Sequence, residues 1–439
     1  MSTSATTRPD ILYLLTDQQS ALALSCAANG DLRTPAMDRL AARGVRFQNA
    51  YCTQPLCTPS RASMFTGMMP HECGCPRNGQ GIHPELRPFE LGRLLADAGY
   101  DCYYGGKWHV PEIAMPESND HGFQTLCGFN DARLADACIG CLARLGGQDP
   151  EQRRPFFLVA SFDNPHNICE WGRSMPLPWG SIGEPPALAE CPNLPANFMP
   201  SPFEPEILRL EQAAHWGIYP YRQRRPEDWR QLRWAYYRLV EKVDAEIGRI
   251  LAALETRGLA ENAVVIFSSD HGDGHGAHQW NQKSALFEEV VRVPLLIRSP
   301  SGQGGAVDAE HLVSNGLDLL PTLCDYARIP PPKGRRGRSL RPLVEGQTVS
   351  SWRASLCLET RFDGGRGYDS QGRAIRTPRY KYTVYDRGSY REQLVDLDAD
   401  PGEMVNLAVE KRHADTLAEH RRLLALHVRD TGDTFRVPG

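Results

Sequence analysis

Asp10-Ile11-Leu12-Tyr13-Leu14-Leu15-Thr16-Asp17 is a short apolar run that stops on a carboxylate. An unbroken apolar run of this length fits a strand covered on both faces, as in a parallel sheet. The acid at its carboxyl end falls where open α/β sheets bind ligands. Similar runs at residues 100–104, 156–161, 263–268 and 293–298 read as further strands. Helical signals alternate with them. Thr34-Pro35 opens a helix with Thr34 as N-cap, Met37, Leu40 and Ala41 as inner face and Gly44 as stop. Residues 91–98 form a second helix, stopped by Gly99. Leu232, Tyr236, Leu239, Val243, Ile247 and Leu251 recur at helical spacing in a long helix over about 228–256, and 317–327 is another. The alternation predicts a large, open, mostly parallel α/β sheet with helices on both faces.

The 439 residues suffice for one large α/β domain and a small one. A boundary is expected after a Pro/Gly-rich connector, Ile329-Pro-Pro-Pro-Lys-Gly334, giving a catalytic unit over 1–345 and a small α+β subdomain over 346–439. That subdomain is expected to hold short antiparallel strands and a helix over about 412–429. Residues 170–227, rich in Pro, Trp and Arg, read as loops inserted over the site. Trp171, Trp179, Trp216, Tyr219 and Tyr221 lie there, to stack on sugar rings or to pack the insertion on the core, with packing the favoured reading. A net charge of -4 and no long basic run argue against a nucleic-acid partner. No apolar run approaches membrane-spanning length. The start, Met1 to Pro9, is polar, and the 13 cysteines are scattered and odd in number, so they are expected to be reduced and the protein cytoplasmic. Cys73-Gly-Cys75 and Cys138-Ile-Gly-Cys141 each lack a second pair at zinc-finger spacing and read as ordinary thiols.

The stretch Cys57-Thr58-Pro59-Ser60-Arg61-Ala62-Ser63-Met64-Phe65-Thr66-Gly67 sets a long, specific constraint. Read plainly, it is a buried cysteine in a Pro-containing turn. It also resembles the signature of the type I sulfatases, of the alkaline phosphatase superfamily. The resemblance implies that a maturation enzyme oxidises Cys57 to formylglycine, an aldehyde that hydrates to a geminal diol. One hydroxyl attacks the sulfate ester and expels the alcohol; deprotonating the other expels sulfate and restores the aldehyde. A serine in that place would be left as a stable ester.

Further blocks resemble the same family in the same order. They are Arg8-Pro-Asp-Ile-Leu-Tyr-Leu-Leu-Thr-Asp17-Gln18, Gly105-Gly-Lys107-Trp-His109, the 155–166 segment ending Pro165-His166, Ser269-Asp270-His271-Gly272 with Lys283, and the tail around 376–407. Two acidic strand ends suit a hard divalent cation, and an imidazole beside them admits manganese-like ions. The resemblance implies one divalent cation, calcium first and manganese or magnesium next, on Asp17, Gln18, Cys57 as formylglycine, Asp270 and His271. It places Arg61 near formylglycine, Lys107 on the sulfate or diol, and Lys283 on the sulfate and bridging oxygen. His166 becomes the general acid and His109 the base. Gln18 and His271 stand where many sulfatases carry Asp and Asn; this pattern, with Asn78 as a substrate contact, is closer to the choline-sulfatase and phosphonate-monoester-hydrolase branch. The implied function is hydrolysis of an aryl or carbohydrate sulfate ester. The rivals are a phosphonate monoester hydrolase or phosphodiesterase on the same scaffold, and an inactive relative that binds sulfated glycans.

Overall fold

The computed structural model describes residues 8–116, 119–215, 217–362 and 367–438. Its first ten strands are β1 (Asp10–Asp17), β2 (Val45–Phe47), β3 (Ala50–Tyr51), β4 (Asp101–Gly106), β5 (Gln124–Cys127), β6 (Phe156–Pro165), β7 (Ala263–Ser269), β8 (Leu295–Arg298), β9 (Ala306–Asp308) and β10 (Val313–Ser314). Eight of them form one sheet in the order β5-β4-β6-β1-β7-β8-β2-β9, and β3 pairs with β10 apart from it. β1 is buried throughout and runs parallel to both neighbours, Leu12 standing opposite Leu158 of β6 and Val265 of β7. The expected strand at 293–298 is shorter, and it lies antiparallel to β7. Alternate residues of β1 feed two cores. Ile11, Tyr13 and Leu15 join Ala62, Met64, Phe65, Leu320 and Leu323, which belong to helices Cys57–Thr66 and Asn315–Ala327. Leu12 and Leu14 face Met37, Leu142 and Ile247, from helices Pro35–Ala42, Asp131–Gly146 and Pro226–Thr256.

Thr34 precedes its helix as expected but does not cap it with its side chain. Asp244 of the long helix reaches across instead and accepts from the backbone N–H groups of Ala36 and Met37, at 3.0 and 2.9 Å. The cap thereby ties two helices together. Cys138 and Cys141 lie on the buried face of Asp131–Gly146, and burial pushes the Cys141 thiol up to about 11. All thirteen cysteines are free thiols.

The insertion is more regular than expected, since it holds a nine-residue helix, Glu206–Ala214. Arg209 and Gln212 of that helix donate to the carbonyls of His278 and Gln279, at 2.6 and 2.8 Å. The C-terminal antiparallel sheet is β11 (Leu356–Arg361), β12 (Gln371–Arg376), β13 (Tyr380–Tyr385) and β14 (Glu392–Asp396), packed by helix Ala414–Thr431. It braces the loops before Cys57 and after Lys283: the Glu359 N–H donates to the Thr53 carbonyl at 2.8 Å, and Thr360 Oγ1 to the Ser284 carbonyl at 2.6 Å. Among the described residues no helix is long and apolar enough to cross a membrane.

Candidate active site

β1 and β7 end side by side, with Thr16 opposite Ser269, so Asp17 and Asp270 leave the sheet together. Gln18 follows with a φ of 72°, and its N–H donates to Asp270 Oδ1 at 3.0 Å. Cys57 is the first residue of a ten-residue helix, where unpaired N–H groups and the helix dipole favour an anion. One of those donors, Thr58 N–H, is taken by Asn78 Oδ1 at 3.0 Å. The helix ends at Gly67, whose φ of 67° lets its N–H close on Ser63 O at 2.7 Å. Cys57 Sγ lies 3.3 Å from His271 Nε2 and 3.7 Å from Asp17 Oδ1.

Three cations surround these acids, Arg61 and Lys107 buried and Lys283 half-buried. Arg61, one turn along the helix from Cys57, spends its guanidinium within the protein. Nε donates to Asp270 Oδ2 at 2.8 Å, Nη2 to Asp17 Oδ2 at 3.2 Å, and Nη1 to Lys107 O and Ser161 Oγ at 2.7 and 2.9 Å. Lys107 follows Gly106, whose φ of 91° and missing Cβ let the chain turn against the Ser161 carbonyl. Its ammonium lies 2.8 Å from Asp17 Oδ2 and 2.9 Å from Asp163 Oδ1. Lys283 donates to Cys57 Sγ at 3.1 Å. It is presented by a loop folded over Asp273, which accepts from Gln18 Nε2, His275 N and Gln282 N at 2.7, 2.6 and 3.1 Å.

The charges act on one another strongly. Burial raises the Asp17 carboxyl, but Lys107, His166, Arg61 and Lys283 outweigh it and hold Asp17 well below the usual range. Burial and Asp17 push the Cys57 thiol up, yet Lys283, Lys107 and His271 bring it well below its ordinary value. Burial pulls Lys107 down; Asp163 and Asp17 more than reverse this, so it stays charged. Asp270 is raised by burial and by Asp17 facing it.

The donor set fits a divalent cation. Asp17, Cys57, Asp270 and His271 are all buried, and one ligand atom of each lies within 4.8 Å of the others. His271 Nδ1 is engaged by Gly272 O at 2.9 Å, which leaves Nε2 as the acceptor facing the cluster.

The remaining expected residues lie at varying distance from the cluster. His166 stands beside Asp163, Nδ1 to Oδ1 4.0 Å, with 21% of its side chain exposed. His109 has a φ of 59° and a buried Nδ1 without a hydrogen-bond partner. Gln18 turns its carboxamide to Asp273 and toward Cys169 Sγ. Two histidines of the same loop that were not expected in the site lie elsewhere, His275 against Arg233 and His278 stacked on Phe287 at 4.0 Å. Asp163, Ser161 and Asp273 hold the machinery in place and were not singled out from the sequence. Asp163 and Ser161 lie in the same block as Pro165-His166, and Asp273 two residues after His271; a buried lysine in need of a counter-ion was the signal that could have found Asp163.

A thiol at a helix N-terminus, ringed by three cations and a donor set that fits a divalent metal on an open sheet, suits an esterase for tetrahedral oxyanion esters. The sulfatase family model matches residues 9–329, and that for the C-terminal region of N-sulphoglucosamine sulphohydrolase matches residues 276–429. The chain belongs to the sulfatase family of the alkaline phosphatase superfamily and is a sulfuric ester hydrolase. It is 31% identical to the Delta 4,5-hexuronate-2-O-sulfatase of Bacteroides thetaiotaomicron, over 98% of this chain and 90% of that relative. It is 28% identical to a 2-O GAG sulfatase of known structure, with a TM-score of 0.84 over 98% of this chain and 95% of the other. The phosphonate monoester hydrolase of Agrobacterium radiobacter shares the fold at a TM-score of 0.74 and 24% identity, over 96% of each chain.

Proposed function

We propose that the chain removes sulfate from a carbohydrate sulfate ester, with Cys57 as formylglycine and one divalent cation on Asp17, Cys57, Asp270 and His271. The observation that carries this reading is the convergence of Asp17, His271 and Lys283 on Cys57 Sγ, all within 3.7 Å. A hydrated aldehyde at position 57, made by a maturation enzyme, supplies a nucleophile from which sulfate can leave. Calcium, or manganese or magnesium in its place, supplies charge neutralisation and a lowered hydroxyl pKa.

The chain's own residues do the rest. Lys283 and Lys107 are fixed charges for the sulfate oxygens, where negative charge spreads in the transition state. Arg61, with both carboxylates on its guanidinium, orients Asp17 and Asp270 and does not reach the substrate. His166, partly open to solvent beside Asp163, gives its proton to the leaving alcohol. His109, with Nδ1 free of partners, takes the proton whose loss lets sulfate depart. Asn78 holds the first turn of the Cys57 helix. The carbohydrate class rests on the likeness to the hexuronate-2-O-sulfatase and the GAG sulfatase.

The test is sulfate release from a panel of sulfated mono- and disaccharides, including a 2-O-sulfated unsaturated hexuronate, against 4-nitrophenyl sulfate. A higher kcat/KM on at least one saccharide supports the reading. A uniformly higher value on the aryl ester overturns the carbohydrate assignment.

A further inference from the structure

Of the five aromatic residues in the insertion, Trp216 lies outside the described residues. Trp171 and Tyr221 pack into one hydrophobic cluster and Tyr219 into another. Trp179 belongs to none and is half-buried. Its indole N–H donates to Asp163 Oδ2 at 3.2 Å, on the carboxylate whose other oxygen takes Lys107 at 2.9 Å. Its backbone is pinned as well, because Lys242 of the long helix donates to the carbonyls of Trp179 and Gly180. Phe129, likewise half-buried and outside every cluster, meets Trp179 edge to face with centroids 5.4 Å apart at 84°. The Lys107 ammonium lies 5.9 Å from the Phe129 centroid.

Two large half-buried rings left outside the core, one of them pinned by its indole N–H and its backbone, suit an apolar partner. With the indole N–H committed to Asp163, what Trp179 has left to offer is its ring, at a fixed distance from the charges that receive sulfate. Ligand sites combine such aromatic walls with a few placed polar groups. A pyranose presents C–H groups on its faces and suits such a wall. We infer that Phe129 and Trp179 form a corner that binds the sugar ring carrying the sulfate, Trp179 being the specificity-determining residue. The inference rests on the proposed carbohydrate sulfatase reading.

The experiment uses the full-length, aldehyde-containing, metal-loaded enzyme. KM and kcat for the best saccharide sulfate, and the inhibition constant of inorganic sulfate, are measured for the wild type, Trp179→Ala and Trp179→Phe. Trp179→Ala is expected to raise saccharide KM about tenfold or more, a loss of roughly one ring contact. The inhibition constant of inorganic sulfate, which needs only the cations, stays within about threefold. Trp179→Phe, keeping a ring without the N–H, recovers most of the lost affinity. An unchanged saccharide KM in Trp179→Ala overturns the inference. So does an equal weakening of inorganic sulfate, or a Phe variant as poor as Ala, since either means that Trp179 acts through Asp163 on Lys107. A wild type that turns over aryl sulfate and no saccharide overturns the carbohydrate reading itself, before any variant is made.

Discussion

Asp163 shows how much of this site is built from residues that hold other residues in place. Its carboxylate takes Lys107, Asn167 and Trp179, the last two on one oxygen at 2.7 and 3.2 Å. Hydrogen bonds to a charged group are worth about 1.5–3 kcal/mol, so Asp163→Asn should lower kcat/KM by roughly 10–100-fold. Because Asp163 lies outside the metal donor set, bound metal should be unchanged by elemental analysis; a loss of metal would contradict this division of labour. Asp17→Asn should do the opposite, releasing metal and activity together, since it removes a carboxylate from the proposed donor set. The strand-end acids Asp17 and Asp270 were legible because apolar runs mark where strands stop, and Cys57, Lys107 and Lys283 because of family motifs. Asp163 and Asp273 were not, because nothing in a lone sequence says which acids face a buried cation. The bracing by Arg61 was also hidden: the resemblance placed it near formylglycine, and only the fold shows its four hydrogen bonds tying Asp17, Asp270, Lys107 and Ser161 together.

At the scale of elements, the helices are fastened by side chains far away in sequence. Asp244 replaces the local Thr34 cap on Pro35–Ala42. Asp244→Ala leaves two N–H groups without their acceptor and should cost about 1–3 kcal/mol in urea denaturation. Leu14→Ala, in a strand that is buried throughout, should cost about 2–5 kcal/mol by the same measurement. A loss under about 0.5 kcal/mol for either would place the site's support elsewhere. β1, β6 and β7 were readable because five apolar residues in succession have few other fates, and β4 because Cys102-Tyr103-Tyr104 follows a helix stopped by Gly99. β2, β3, β9 and β10 have two or three residues each and carry no period to read. Helix Asp131–Gly146 does carry one, in Leu134, Cys138, Leu142 and Leu145, but two of the residues on its buried face, Cys138 and Cys141, also fit a Cys-x-x-Cys spacing.

Across the whole molecule, the C-terminal sheet and the insertion converge on the loop that presents Lys283. Lys381 of β13 bonds Glu288 at 3.0 Å and Glu403 at 2.6 Å, beside the buried His278. Burial, Arg209 and Lys381 hold His278 down at about 3 from an ordinary 6.5. Its depressed folded value means that its contribution to stability is complete above 6.5 and is lost as pH falls toward 3, at about 1.4 kcal/mol per pH unit. Glu403, raised to about 7 by burial, pulls the opposite way. The quantity to follow is therefore the difference between wild type and His278→Gln in urea denaturation across that range. It should shrink as pH falls; a pH-independent difference would mean that His278 titrates normally. The cation-rich pocket also bears on selectivity. It should accept an aryl phosphonate ester as well as a sulfate, with kcat/KM for matched nitrophenyl esters favouring sulfate. A ratio favouring the phosphonate would move the enzyme toward the phosphonate hydrolase branch.

Under the proposed function, sulfate ester cleavage requires position 57 as an aldehyde. Preparations made with different amounts of maturation enzyme will contain different fractions of Cys57 converted, readable by peptide mass as sulfur exchanged for oxygen with two hydrogens lost. Inorganic sulfate released from one saccharide sulfate, plotted against that fraction, should rise in proportion from zero. Turnover independent of the fraction, or retained in Cys57→Ala, would contradict the account.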